Sequence, residues 1–334
     1  MAPAPSYLLT SLLRDVSRSF YLTLRVLPAS IRPQIGLAYL LARTTDTIAD
    51  TELVAVAQRL EALTALGDAI QARRTEPLKF GVLLPLQASS AEKVLLQRAD
   101  ETLGLLNGMD AADQQMVRAV LDIITSGQSL DLRRFAEASP ANVIALSRDE
   151  ELDDYTYRVA GCVGEFWTKM CRAHVFPGTA LDDRELIAKG IRFGKGLQLV
   201  NILRDLPDDL RKGRCYLPAE SLANHGLKPA DLLAPANEGR LRPVYDVWLQ
   251  RAQEHLAVGW RYTNLVPRGC IRVRLACAWP LLIGRDTLNL LRAGPVLDPR
   301  QRIKVSRSRV RRTIRQTILC YPFRQSWEAL FDSV

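Results

Sequence analysis

An all-α fold is predicted by three features of the sequence. Apolar residues recur mostly at three- and four-residue spacing, alternating strand-like runs are scarce, and several long stretches are rich in Ala, Leu, Gln and Glu. Residues 53–72, 111–130, 184–205 and 245–265 carry the pattern most plainly. Turn signals separate the periodic stretches: Arg32-Pro33, Pro77, Ser139-Pro140, Pro177-Gly178, Pro229, Pro235 and Pro267-Arg268-Gly269. No fixed-period repeat and no long low-complexity linker interrupts them. Helices of ordinary length then give about ten in a single domain spanning 1–334, with its core over about 10–315.

The composition narrows the class. Forty-eight per cent hydrophobic and 24 per cent charged residues describe a soluble globular chain. A net charge of +9 points toward anionic partners without separating nucleic acid, membrane surface or phosphorylated substrate. Cys162, Cys171, Cys215, Cys270, Cys277 and Cys320 form no C-x-x-C motif, and His174, His225 and His255 lack metal-ligand spacing, so no zinc site is expected. Scattered cysteines fit a reducing cytoplasm, as small buried hydrophobes. The first residues lack a basic region followed by an apolar run, and the longest apolar stretches, such as 275–284, are too short to span a bilayer. The expectation is a cytoplasmic protein without a transmembrane segment.

Residues 300–315 hold Arg300, Arg302, Lys304, Arg307, Arg309, Arg311, Arg312 and Arg315 and no acid. Interleaved Ile303, Val305, Val310 and Ile314 make this segment weakly amphipathic, suited to peripheral contact with the inner face of an anionic membrane. A solvated basic helix is the competing reading. No aromatic residue intersperses the run, and no nucleic-acid partner is expected.

Two segments carry the chemistry. Tyr39, Arg43, Asp46 and Asp50 step by four, three and four, which places them on one helical face. Gln198, Asn201, Asp205 and Asp209 step by three, four and four, among Ile, Leu and Val. Carboxylates at i and i+4 repel, costing a helix about 0.2–0.5 kcal/mol per pair, and a divalent cation between them reverses the sign. Mg²⁺ fits, because it takes oxygen ligands and is commonly held by one or two carboxylates plus substrate phosphates. Arg43, Arg204, Arg211, Lys212 and Arg214 add donors for phosphate oxygens. A lone Asp-x-x-x-Asp usually decorates a helix surface; two, each with an arginine, weigh more. Pro207 removes a backbone donor inside the second pair, so that helix is expected to kink or end there, with Asp208 as a substitute ligand.

With Ser17-Arg18-Ser19-Phe20, Arg43…Asp46…Asp50, Val159-Ala160-Gly161-Cys-Val-Gly164 and Gln198-x-x-Asn201-x-x-Arg204-Asp205…Asp209…Arg214 in view, the chain resembles the squalene/phytoene synthase family from about Ser17 to Ile314. The resemblance implies an isoprenoid-synthase-type helical bundle with a central apolar channel, two aspartate helices facing each other at its mouth, and a monomer. It implies that Asp46 and Asp50 hold Mg²⁺, with Mn²⁺ as an alternative ion, for one diphosphate, and Asp205 and Asp209 for the other. Ser17, Arg18, Ser19, Arg43, Arg204 and Arg214 would contact diphosphate, and Tyr39, Gln198 and Asn201 would border the reacting carbons and the diphosphate. Phe20, Val159, Gly161 and Leu197 would line the prenyl path. The family often has a tyrosine immediately before the Val-Ala-Gly motif; here Arg158 stands there and the tyrosine is Tyr157, so Tyr157, Tyr39 and the released diphosphate are all candidate proton acceptors.

Within the family, Asp46-Thr-Ile-Ala-Asp50, Ala276-Cys-Ala-Trp-Pro-Leu281 and Lys304-Val-Ser-Arg307 are more similar to squalene synthases than to phytoene synthases. That likeness implies head-to-head condensation of two farnesyl diphosphates through presqualene diphosphate, then NADPH reduction to squalene. Gly194-Lys-Gly196 lacks the third glycine and the preceding strand of a dinucleotide loop and is read as a close-packing site. Arg272, Arg274 and Arg285 are candidates for a 2′-phosphate, weighed against simple surface solvation. Dehydrosqualene, phytoene or presqualene diphosphate synthesis are the near alternatives. Head-to-tail prenyl transfer or terpene cyclisation fits the acidic motifs poorly, and a non-enzymatic basic scaffold leaves both acidic faces without a role.

Overall fold

The computed structural model describes residues 7–17, 20–87 and 89–332. These are overwhelmingly helical, as the spacing predicts. The longer helices are α1 (Arg32–Asp50), α2 (Val56–Ile70), α3 (Ser90–Gln97), α4 (Ala99–Asn107), α5 (Ala111–Arg134), α6 (Asp149–Thr156), α7 (Cys162–His174), α8 (Asp183–Arg211), α9 (Glu238–Leu265), α10 (Ile271–Ala293) and α11 (Arg307–Cys320). The only ladder among the described residues is a parallel pair, β1 (Ile144–Ala145) and β2 (Arg214–Cys215).

The chain packs as two compact units, Met1–Arg133 with Phe166–Thr179, and Arg134–Glu165 with Ala180–Val334. In the first, α1 is the hub and packs against α2, α3 and α4. Pro33 sits in its first turn, where a missing N–H costs nothing. Leu37, Leu40, Leu41 and Ile48 of α1 are fully buried with Leu63, Leu66, Leu95 and Leu106. Asp113 of α5, also buried, accepts from Gln34 Nε2 at 2.9 Å and lies 2.6 Å from His174 Nε2, which satisfies a charge that burial would otherwise make costly.

In the second unit α8 is the hub, packing against α9, α10 and the turn Tyr157–Gly161 that leads into α7. Asp182 caps α8, accepting from the amides of Arg184 and Glu185. The turn Tyr157–Gly161 is wound as a π-helix, a form that recurs at functional sites. It crosses α8 backbone against backbone: a Cβ on Gly194 would lie 2.1 Å from the Ala160 carbonyl oxygen, and one on Gly164 would lie 1.9 Å from that of Gly190. Gly196 likewise meets His255 and Leu256 of α9, so Gly194-Lys-Gly196 is a packing site. Gly213, at φ +79°, reverses the chain after α8 and delivers Arg214 into the two-residue ladder.

All six cysteines are free, and Cys162, Cys171, Cys215 and Cys277 are buried. No helix among the described residues is long and apolar enough to cross a membrane. Two arginines expected at the surface are not there. Arg274 and Arg285 expose 6 and 5 per cent of their area, because the segment after α11 closes over them; Arg285 Nη1 donates to the Leu330 and Phe331 carbonyls at 2.6 and 2.7 Å.

The α8 crossing makes a paired prediction. Gly164→Ala should lower stability by about 3 kcal/mol or prevent folding, because backbone rather than a flexible side chain occupies the space. Gly239→Ala in α9, with open space around the position, should be neutral or raise stability by about 0.5 kcal/mol. Chemical denaturation midpoints compare the two.

Candidate active site

In the first unit the predicted stripe is present. Tyr39, Arg43, Asp46 and Asp50 run along the open side of α1, whose other faces are buried. Phe20 stacks on Tyr39, ring centroids 5.0 Å apart. Ser17 is buried and its hydroxyl donates to the Leu13 carbonyl. Arg18 and Ser19 lie outside the described residues.

Asp46 is the electrostatic focus. Its side chain keeps 48 per cent of its surface open, and the protein packed around the rest partly desolvates it. That desolvation first, and the like charge of Asp50 second, push its pKa up to about 7, against the opposing pull of Arg43 and the Gln128 amide. Two partners hold this arrangement that the sequence pattern did not reveal. Gln128 of α5 donates from Nε2 to Asp46 Oδ1, and Glu92 of α3 accepts from Arg43 Nη2. Arg43 lies 3.8 Å from Asp46; burial lowers its pKa, but the Asp46 and Glu92 carboxylates outweigh burial and raise it. Arg59 of α2 donates to the Ala49 carbonyl at 2.7 Å, fixing the end of α1 that bears Asp50. Gln128 and Glu92 are 82 and 49 residues from their partners, a separation that leaves no periodic trace.

In the second unit Gln198, Asn201, Asp205 and Asp209 share a partly open face of α8, while Leu199, Val200, Ile202, Leu203, Leu206 and Leu210 are buried. Arg204 grips Asp205 through two bonds, Nε to Oδ1 at 2.8 Å and Nη2 to Oδ2 at 2.6 Å. Arg204, Asp205 and Asp208 line a cavity of about 180 Å³ with Val296 and Arg302, so the basic segment contributes a cation beside this carboxylate. Asp208 pairs with Arg211. Arg214 extends from β2. Leu197 packs beside Gly284 of α10.

The expected kink at Pro207 does not end the helix: α8 runs unbroken to Arg211. Proline cannot supply the N–H that would bond the Leu203 carbonyl four residues back. Tyr245 of α9 supplies a donor instead, its buried Oη 2.9 Å from Leu203 O. Burial raises the Tyr245 pKa well above the usual phenol range and keeps it a donor. Asp205 and Asp209 therefore stay on one helical face across the proline.

Tyr157 packs against Gly161 in the π-helical turn, with Lys195 near the same glycine. Its hydroxyl lies 3.5 Å from Glu165, and burial first, then that carboxylate, raises its pKa, so it is a neutral phenol. Lys195 and Asp205 are ten residues apart, about 15 Å along the helix at 1.5 Å per residue, so Tyr157 stands well away from the acidic end of α8. Val159 is half-buried in the same turn.

The family model described as squalene/phytoene synthase matches residues 13–309. The chain belongs to the squalene/phytoene synthase family. It is 28 per cent identical to a presqualene diphosphate synthase of Rhodopseudomonas palustris over 293 residues, covering 87 per cent of this chain and 89 per cent of the relative. It is also 28 per cent identical to a 15-cis-phytoene synthase of Synechocystis sp. over 288 residues, 83 and 74 per cent of the two chains. Among solved structures, TcSQS in complex with the ligand BPH1237 superposes with a TM-score of 0.77 at 18 per cent identity, over 97 per cent of this chain and 88 per cent of that one. Squalene synthase HpnC from Alicyclobacillus acidocaldarius gives 0.62 at 21 per cent, over 87 and 97 per cent. The fold is thus that of squalene-synthase-type isoprenoid synthases.

Two measurements test this geometry. The folded pKa of Asp46 lies above its usual 3.8, so the folded state holds the proton more tightly and this group's contribution to stability falls as pH rises from about 4 to 7. Asp46→Asn removes that penalty; with half-exposure discounting the shift to about 1 kcal/mol, its melting temperature should exceed the parent's by about 2 °C at pH 8 and match it near pH 4. Tyr245→Phe should cost about 1–3 kcal/mol by orphaning the Leu203 carbonyl, read by denaturation.

Proposed function

We propose that this protein joins two farnesyl diphosphates head to head, using Mg²⁺ (Mn²⁺ as an alternative), to presqualene diphosphate, and reduces that product with NADPH to squalene. The observation that carries the first step is the pair of i,i+4 carboxylate stripes, each with an arginine beside it, on helices that bury apolar residues on another face. Each stripe offers oxygen donors only. Two carboxylates per stripe would suit a cation whose remaining ligands are substrate phosphates and water. Asp46 with Asp50 and Asp205 with Asp209 would hold the ions. A bound divalent ion supplies charge neutralisation at the diphosphate and stabilises the oxygen that leaves.

The chain's own groups do the rest. Arg43 donates to diphosphate oxygens from a site fixed by Glu92, and Arg204 and Arg214 do so for the second diphosphate. Phe20 and Tyr39 present stacked rings to the prenyl chain, whose burial contributes about 0.8 kcal/mol per CH₂. Tyr157 is a neutral phenol, and the anionic released diphosphate is the stronger base for the proton lost in cyclopropane formation. The reductive step rests on the squalene-synthase-like spelling of residues 276–281 and 304–307. A second reading, in which the reaction stops at the cyclopropyl diphosphate, is favoured by the likeness to the Rhodopseudomonas palustris presqualene diphosphate synthase over nearly the full length of both chains.

Incubation with farnesyl diphosphate, Mg²⁺ and NADPH, followed by mass spectrometry, decides between them. Squalene is expected with NADPH and presqualene diphosphate without it; presqualene diphosphate under both conditions selects the second reading, and phytoene from geranylgeranyl diphosphate with no farnesyl turnover rejects both. Asp46→Ala and Asp205→Ala should each cut diphosphate release by at least about 100-fold. Mg²⁺ with inorganic diphosphate should raise the melting temperature of the parent but of neither variant, a readout independent of turnover.

A further inference from the structure

Arg274, in the first turn of α10, is a buried cation with no ion pair among the described residues; the Tyr321 hydroxyl and, at longer range, the Glu328 carboxylate act on it. Only 6 per cent of it is exposed, and its guanidinium lies 5.6 Å from the Tyr321 ring centre and 5.2 Å from that of Trp327. Nη2 donates to Asn264 Oδ1, while Nε has no hydrogen-bond partner and no carboxylate stands within ion-pair distance among the described residues. Aromatic faces offset part of the desolvation of a buried guanidinium. They do not neutralise it.

A cavity of about 250 Å³ opens against this group, lined also by Arg268, Arg324 and Glu328. Glu328 is taken by Arg324 at 2.8 Å, and Arg268 spends Nη2 on the Tyr321 and Pro322 carbonyls. Three guanidinium groups thus surround the space against one carboxylate. The volume exceeds that of a single water, about 30 Å³, several-fold and would admit a phosphate group.

The rim indicates where that phosphate comes from. Leu319 and Phe323, two residues to either side of Tyr321, are 68 and 65 per cent exposed, and Ile318 and Ile271 are 51 and 47 per cent exposed. Single exposed apolar residues are ordinary, but each of these four stands within three residues in sequence of one that lines the cavity. Arg307, Arg311, Arg312 and Arg315 are exposed on α11, and no acidic residue occurs from Pro299 to Trp327. A face that mixes basic and apolar side chains suits the boundary between headgroups and acyl chains. We propose that this cavity is a phosphate-binding site that receives the headgroup of an anionic phospholipid, seating the exposed face of α11 and Phe323 on a membrane surface.

Co-sedimentation of the full chain with phosphatidylcholine vesicles, with and without phosphatidylglycerol, tests this. Binding should require phosphatidylglycerol, and Arg268→Gln/Arg324→Gln should weaken partitioning about fivefold per arginine removed. Leu319→Ser/Phe323→Ser should weaken it as well, by removing the inserting side chains. Arg274→Gln probes the centre of the site, and should circular dichroism show it unfolded, the Arg268/Arg324 variant decides. Inorganic phosphate should raise the melting temperature of the parent and not that of the Arg268/Arg324 variant. Vesicle binding unaffected by the cavity variants, or equal binding to phosphatidylcholine alone, overturns the proposal. Stabilisation by inorganic phosphate without vesicle binding overturns the assignment to a lipid.

Discussion

Like charge on successive turns of one helix is the constraint around which the first unit is organised. Asp46 and Asp50 stand one helical turn apart on α1, and within that helix only Arg43, 3.8 Å from Asp46, offsets part of their repulsion. The surrounding structure answers with groups from three other helices: an amide from α5 on Asp46, a carboxylate from α3 that positions Arg43, and a guanidinium from α2 on the last turn. These contacts orient the carboxylates without neutralising them. A scaffold concerned only with stability would place an apolar residue at Asp46. This one maintains a standing electrostatic penalty, the mark of a functional-site candidate.

The second unit solves a mechanical problem instead. Its acid pair straddles a proline, and a helix that bent there would turn the two carboxylates onto different faces. Tyr245 prevents this from the neighbouring helix, by donating where the proline cannot. The cost is a phenol buried so fully that it is useful only as a donor. In both units, then, the catalytic candidates sit on long central helices, and residues distant in sequence fix their geometry.

That division explains what could be read from the chain alone. The helical class, the two acidic stripes and the packing role of Gly194-Lys-Gly196 follow from local spacing, which survives in any one-dimensional pattern. Gln128, Glu92 and Tyr245 were invisible because each acts across a long loop closure on a single atom. A proline read locally predicts a break; only the fold supplies the hydroxyl that cancels it. Arg274 and Arg285 were misread for a similar reason, since charge suggests exposure unless a later segment covers it.

The crossing of the π-helical turn over α8 has an evolutionary consequence. Where two backbones touch this closely, a side chain added at Gly164 or Gly194 would collide with the opposing backbone. Variation among descendants of this sequence then falls more easily on half-buried side chains such as Val159 and Leu197 than on the glycines of the crossing.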